Sequence, residues 1–204
     1  MTDQMAGQKP GTQLTYHFKR EGRLEKPLQA SIPLRVSALP DGACCTAQAD
    51  FVVAGQKLDL PSIEKPQGNP ITLYFLERDI REMNRFTKGS ARYFQKRIRM
   101  ALYQAATVRE VTFTYQGKPV RGQEIVIYPY RDDPNSARFE DWLQKQYRFV
   151  LSAAVPGQVA TISTRTEGAP GQPLMHAEQL LLDGVALEGA APAAASSSSP
   201  AAGA

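Results

Sequence analysis

The chain has 204 residues, 42% of them hydrophobic and 22% charged, with 24 Lys+Arg against 20 Asp+Glu and a formal charge of +4. That is enough chain for one core of ordinary size and too little for two full domains. The slight basic excess does not by itself mark a nucleic-acid binder, and no apolar run approaches a membrane span. The first eleven residues carry neither a signal peptide nor a lipid-attachment pattern. The sequence as written therefore reads as cytoplasmic, with the periplasm or cell envelope as the alternative if a signal has been removed.

Residues 13–19 alternate, with Leu14, Tyr16 and Phe18 on one face and Thr15, His17 and Lys19 on the other, which predicts a strand. Residues 29–39 alternate again through Ile32, Leu34 and Val36, and Pro33 pushes that strand toward an edge or a bulge. Leu39-Pro40-Asp41-Gly42 is a turn. A third strand is expected over 45–53, closed by a turn at Ala54-Gly55.

Cys44 and Cys45 are the only cysteines, so a framework of disulfides is excluded. Neighbours on a strand point to opposite faces. The expectation is one buried and one half-exposed thiol, with a vicinal disulfide acting as a redox switch as the alternative.

Residues 60–69, with Pro61, Pro66 and Gly68, read as a loop. Asn69 is a good N-cap, and Pro70 suits the first helical position because the N–H it lacks would have no partner there. Leu73, Leu76, Ile80 and Met83 recur at helical spacing, although the β-rich run 71–75 could also start as a strand. Gly89 is expected as a left-handed C-cap and Ser90 as the next N-cap. A second helix over 91–106 places Phe94, Ile98, Ala101, Leu102 and Ala105 on one stripe, so that 70–106 forms a helical hairpin.

The β pattern returns with Val111, Phe113 and Tyr115, a turn at Gln116-Gly117-Lys118 and a partner strand over 124–128. A polar loop at 131–135 leads to a short helix over 136–143 that carries Trp142. Strands follow at 147–151 and 159–163, joined through Val155-Pro156-Gly157, and a last one at 179–182. From Gly189 the chain holds only Ala, Ser, Pro and Gly, which cannot bury enough apolar surface to fold. The order predicts an α+β fold: a mostly antiparallel twisted sheet with the helical hairpin on one face, a sandwich or partly open barrel being the rival. The organisation is a flexible 1–11, a single domain over 12–188 and a disordered tail over 189–204.

Little in the chain reads as catalytic. His17 and His176 are the only histidines, and neither lies in a recognisable motif. Zinc-ligand spacings, phosphate-binding glycine loops and EF-hand loops are absent, so no cofactor or metal is expected. Asp132 and Asp133, with Glu140 and Asp141, offer a carboxylate cluster, but acids suit a turn before Pro134 and the start of a helix equally well.

One feature points to a partner. Arg92, Lys96 and Arg99 recur at i, i+4, i+7 opposite the apolar stripe, with Arg85 and Lys88 preceding them, and no acid occurs between Asn84 and Arg109. Like charges at this spacing repel by a few tenths of a kcal/mol, roughly, per pair. An anionic partner (lipid headgroups, a nucleic-acid backbone) or an acidic protein would offset that, whereas acids from elsewhere in the fold would make it an ordinary solvated face. Tyr128 and Tyr130 in Tyr-Pro-Tyr could line a ligand cleft or simply close the end of the sheet. The leading expectation is a non-catalytic binding or assembly domain working through the basic helix. The rivals are a small carboxylate enzyme at a Tyr128/Tyr130 cleft and an exported envelope component.

Overall fold

The alternation at 13–19 becomes a central strand of a wide sheet. The computed structural model describes residues 3–42 and 44–187; the stretch 189–204, expected to be disordered, lies outside them. The elements are β1 (Gln13–Glu21), β2 (Leu28–Ala38), β3 (Cys44–Ala49), β4 (Val52–Val53), β5 (Gln56–Lys57), β6 (Ile63–Glu64), α1 (Pro70–Thr87), α2 (Ala91–Gln104), β7 (Thr107–Tyr115), β8 (Lys118–Ile127), β9 (Gln146–Leu151), β10 (Val159–Thr166), β11 (His176–Leu182) and β12 (Val185–Ala186). Ten of these strands form one open antiparallel sheet in the order β12-β7-β8-β9-β10-β11-β1-β2-β3-β6. The fold is thus α+β with two helices packed on the sheet, and neither a sandwich nor a closed barrel.

The inner face is set by the period of two. β1 buries Leu14, Tyr16, Phe18 and Arg20, and β11 buries His176, Glu178, Leu180 and Leu182. Pairing aligns Phe18 with Leu180, and Leu180 with Ile162. Two residues further along, Arg20 stands beside Glu178, Glu178 beside Thr164, and Thr164 beside Tyr147. An apolar row therefore borders a polar row running across four strands, and α1 covers both. Phe51 stacks with Tyr74 of α1 and meets Phe18 edge-on.

The start of α1 is pinned as its sequence predicts, and the β-rich 71–75 joins the helix. Asn69 Oδ1 accepts from the Ile71 N–H, while its Nδ2 donates to Tyr16 Oη and to the Gly157 carbonyl, each at 2.9 Å. Gly157 is needed for that approach: it has φ +70, and a Cβ there would lie 2.4 Å from Asn69 Nδ2. Residues 3–11, expected to be flexible, form turns laid on the core. Met5 is buried, and Gln4 bonds to Gln67 and Asn69.

Several boundaries differ from expectation. The left-handed C-cap of α1 is Lys88, φ 59, not Gly89. Gly89 instead gives clearance, since a Cβ there would lie 2.5 Å from Phe94 Cζ. The third strand stops at Ala49, and the chain resumes as a separate β4–β5 hairpin around Ala54-Gly55. The short helix over 136–143 is two 3₁₀ turns, Ser136–Arg138 and Glu140–Trp142. Cys44 and Cys45, expected as one buried and one half-exposed thiol, are instead joined to each other by a disulfide.

Candidate functional site

Two features stand out: the outer face of α2 and a buried polar cluster beneath α1. Helix α2 docks by Phe94 and Ile98, which are buried against an aromatic group containing Tyr130 and Phe139. Tyr93, at the edge of that face, donates to Asp133, and the Arg97 guanidinium pairs with Asp133 at 2.8 Å and donates to the Pro129 carbonyl. Arg92, Lys96 and Arg99 point the other way and are exposed. Among the described residues none lies within ion-pair distance of these three or of Lys88. Leu102, expected on the apolar stripe, is 37% exposed, and Tyr103 beside it is 82% exposed.

Arg85, expected with the basic group, is not free. It reaches Glu25 at 2.7 Å and Glu82 at 3.5 Å. The tyrosine cleft does not form. Tyr130 is wholly buried and hydrogen-bonded to Tyr147, and Tyr128 Oη accepts from Gln146 while its ring lies under Arg131. Asp132 and Glu140 are exposed, whereas buried Asp133 holds Arg97, Tyr93 and the Asn135 N–H. The carboxylates therefore do not converge on a shared pocket.

Beneath α1 lies a cluster that sequence reasoning missed. Asp79 and Lys145 are each 1% exposed and pair at 2.5 Å; Tyr147 donates to the other Asp79 oxygen at 2.6 Å. Next to them, Arg78 donates to Glu178 and Glu82, and Arg20 and Arg85 donate to Glu25. His176, 2% exposed, faces Glu25 at 3.6 Å, Glu82 at 3.7 Å and Glu178 at 3.8 Å from its Nε2. Among the described residues, neither ring nitrogen of His176 has a hydrogen-bond partner, and the same holds for Glu82 Oε2 and Glu178 Oε1. Burial, with Lys145 nearby, lowers the His176 pKa to about 4. Burial raises Glu178 to about 8 against the pull of Arg78.

Two signals could have found this cluster. Asp79 sits four residues from both Phe75 and Met83, inside the buried stripe of α1. The run His176-Ala177-Glu178-Gln179-Leu180 continues the alternation of β11, so His176 and Glu178 share the inner face with Leu180.

A third ionic site is structural. Glu124 of β8 is buried between Arg109 of β7 and Arg148 of β9. Burial pushes its pKa up, but the two guanidiniums outweigh that and hold it below the ordinary 4.5. A lowered pKa in the folded state means stability that is present above the unfolded value and lost as pH falls through the folded one. Glu124→Gln is therefore expected to lower the urea midpoint at pH 7 and to lower it by less at pH 3. An equal deficit at both pH values would show that its charge does not matter.

Comparison with protein families finds none that matches, and no curated protein matches either. Among solved structures, the chain is similar to the crystal structure of the Mycobacterium tuberculosis lipoprotein LppX, at 9% identity and a TM-score of 0.33, over 90% of this chain and 89% of that one.

Proposed function

We propose that the protein is a non-catalytic binding domain that docks on an anionic lipid surface through the outer face of α2. One observation carries this reading: Arg92, Lys96, Arg99 and Tyr103 recur at spacings of four, three and four residues, so a single helical stripe holds three exposed cations followed by an 82% exposed tyrosine. Of the basic side chains in this region, Arg85 and Arg97 are neutralised within the fold, and the stripe is not. Leu102, and Val108 at the start of β7, extend the apolar end with 37% and 55% exposure.

Cations on flexible stems with a tyrosine and aliphatic groups at one end suit a headgroup region, where charge meets phosphate and the ring sits at the interface. A single-strand nucleic-acid site would instead use several aromatics along a groove. No described helix is long and apolar enough to cross a membrane.

Each basic side chain near an anionic surface contributes about 1 kcal/mol. The triple variant Arg92→Gln/Lys96→Gln/Arg99→Gln is therefore expected to bind vesicles about 100-fold more weakly. The measurement is co-sedimentation with vesicles of phosphatidylcholine containing phosphatidylglycerol, against phosphatidylcholine alone, at rising salt, with circular dichroism to check folding. Retention on anionic vesicles only, released by salt and lost in the triple variant, supports the proposal. Unchanged retention of the triple variant sinks it, and so does binding to duplex DNA but not to vesicles.

A further inference from the structure

We propose that Glu25, Glu82 and His176 form a binding site for a divalent ion of the Zn²⁺ or Mn²⁺ kind, with Glu178 beside the fourth position. The site is independent of the stripe on α2. Its residues come from three elements: the β1–β2 loop, α1, and the first residue of β11.

The geometry is that of ligands around a centre. One atom from each of Glu25, Glu82 and His176 lies within 4.8 Å of the others. The separations from His176 Nε2, 3.6 Å to Glu25, 3.7 Å to Glu82 and 3.8 Å to Glu178, are too long for hydrogen bonds. With bonds of about 2.0–2.2 Å, the ligand atoms of a tetrahedral ion stand roughly 3.3–3.6 Å apart. The three distances from His176 exceed that by a few tenths of an ångström at most, and the ligand atoms all lie within 4.8 Å of one another.

Burial supplies the second argument. His176 is 2% exposed with both ring nitrogens unpartnered, and its Nε2 is aimed at the carboxylates. Leaving such a group unpaired in the interior costs about 1–3 kcal/mol.

The outer oxygens are already organised. Arg78 holds Glu82 Oε1 and Glu178 Oε2, leaving Glu82 Oε2 and Glu178 Oε1 turned toward the imidazole. Arg85 holds Glu25 Oε1, and Arg20 touches Glu25 Oε2 at 3.1 Å. Hydrogen-bonded carboxylates of this kind orient metal ligands in known sites. The same three guanidiniums reduce the negative charge offered to the ion and so weaken its binding. Glu25 and Glu82 also line a recess of about 240 Å³ next to the β4–β5 hairpin, whose rim is otherwise basic, with Arg20, Arg78, Arg81 and Arg85. One imidazole with two or three carboxylates selects borderline divalent ions; Ca²⁺ requires six to eight oxygens.

The test uses the full chain, stripped with EDTA and titrated with ZnCl₂ by calorimetry, alongside Co²⁺ followed by visible absorption. One ion per chain, with a Co²⁺ spectrum of four-coordinate type, is expected. Glu25→Gln, at the rim of the cluster, should weaken binding at least tenfold, roughly, as disturbance of metal ligands and their partners does. His176→Gln should abolish it, and His17→Gln, at the surface His17–Asp183 pair, should leave it unchanged. Absence of binding up to millimolar Zn²⁺ overturns the proposal. So does an affinity that Glu25→Gln does not alter, a result that stands even if His176→Gln fails to fold.

Discussion

Lys145→Met is expected to lower the unfolding free energy by about 3–5 kcal/mol, because it leaves the Asp79 carboxylate buried without its counter-ion. Both groups are 1% exposed, and the ammonium meets Asp79 at 2.5 Å. The Tyr147 hydroxyl would remain on the second oxygen, so one hydrogen bond survives while the charge stays uncompensated. Against a total stability of about 5–15 kcal/mol, such a loss is a large share of the whole.

The diagnostic is non-additivity. Removing the second charge as well, in Lys145→Met/Asp79→Asn, should restore at least about 1 kcal/mol relative to the single variant, since neighbours in one ionic network couple by about 0.5–3 kcal/mol. Urea unfolding followed by circular dichroism measures both. A single-variant loss under about 1 kcal/mol, or a double variant worse than the sum of its parts, would mean that the pair is not what holds α1 to β9.

Phe94→Ala should be comparably damaging and should act on α2 in particular. Phe94 is fully buried, with Tyr93, Tyr130 and Phe139 around its ring edge-on, and Ile98 is the only other buried residue of the helix. Truncating a buried phenylalanine costs about 3–5 kcal/mol. In a chain of this size that corresponds to a fall in Tm of about 6–20 °C. Hydrogen exchange should rise first at α2, and vesicle retention should fall with it, because an undocked helix no longer presents its cations as one stripe. An unchanged Tm would contradict the docking described above, and normal retention by a variant with a frayed α2 would count against a preformed lipid-binding face.

Much of the chain could be read from the residues alone. The alternation through Leu14, Tyr16 and Phe18, the cap at Asn69-Pro70, the break before Ser90 and the stripe of Arg92, Lys96 and Arg99 are local signals, encoded within a few residues and expressed where they occur. The order of these elements likewise sufficed to give the α+β class. Local reading went astray where neighbours intervened. Lys88 took the left-handed cap, Gly89 made room for Phe94, and Arg85 turned from the basic face to Glu25 and Glu82.

What only the tertiary structure decided is which charges meet. Glu25, Glu82 and His176 are separated by tens of residues, and no spacing rule joins them. They converge because antiparallel pairing aligns Arg20 with Glu178 across β1 and β11, and because Asn69 and the aromatic core fix α1 over that row. Periodicity specifies the face on which a side chain lies. Strand register and helix placement specify what stands opposite it, and these depend on pairings distant in sequence that no local signal carries.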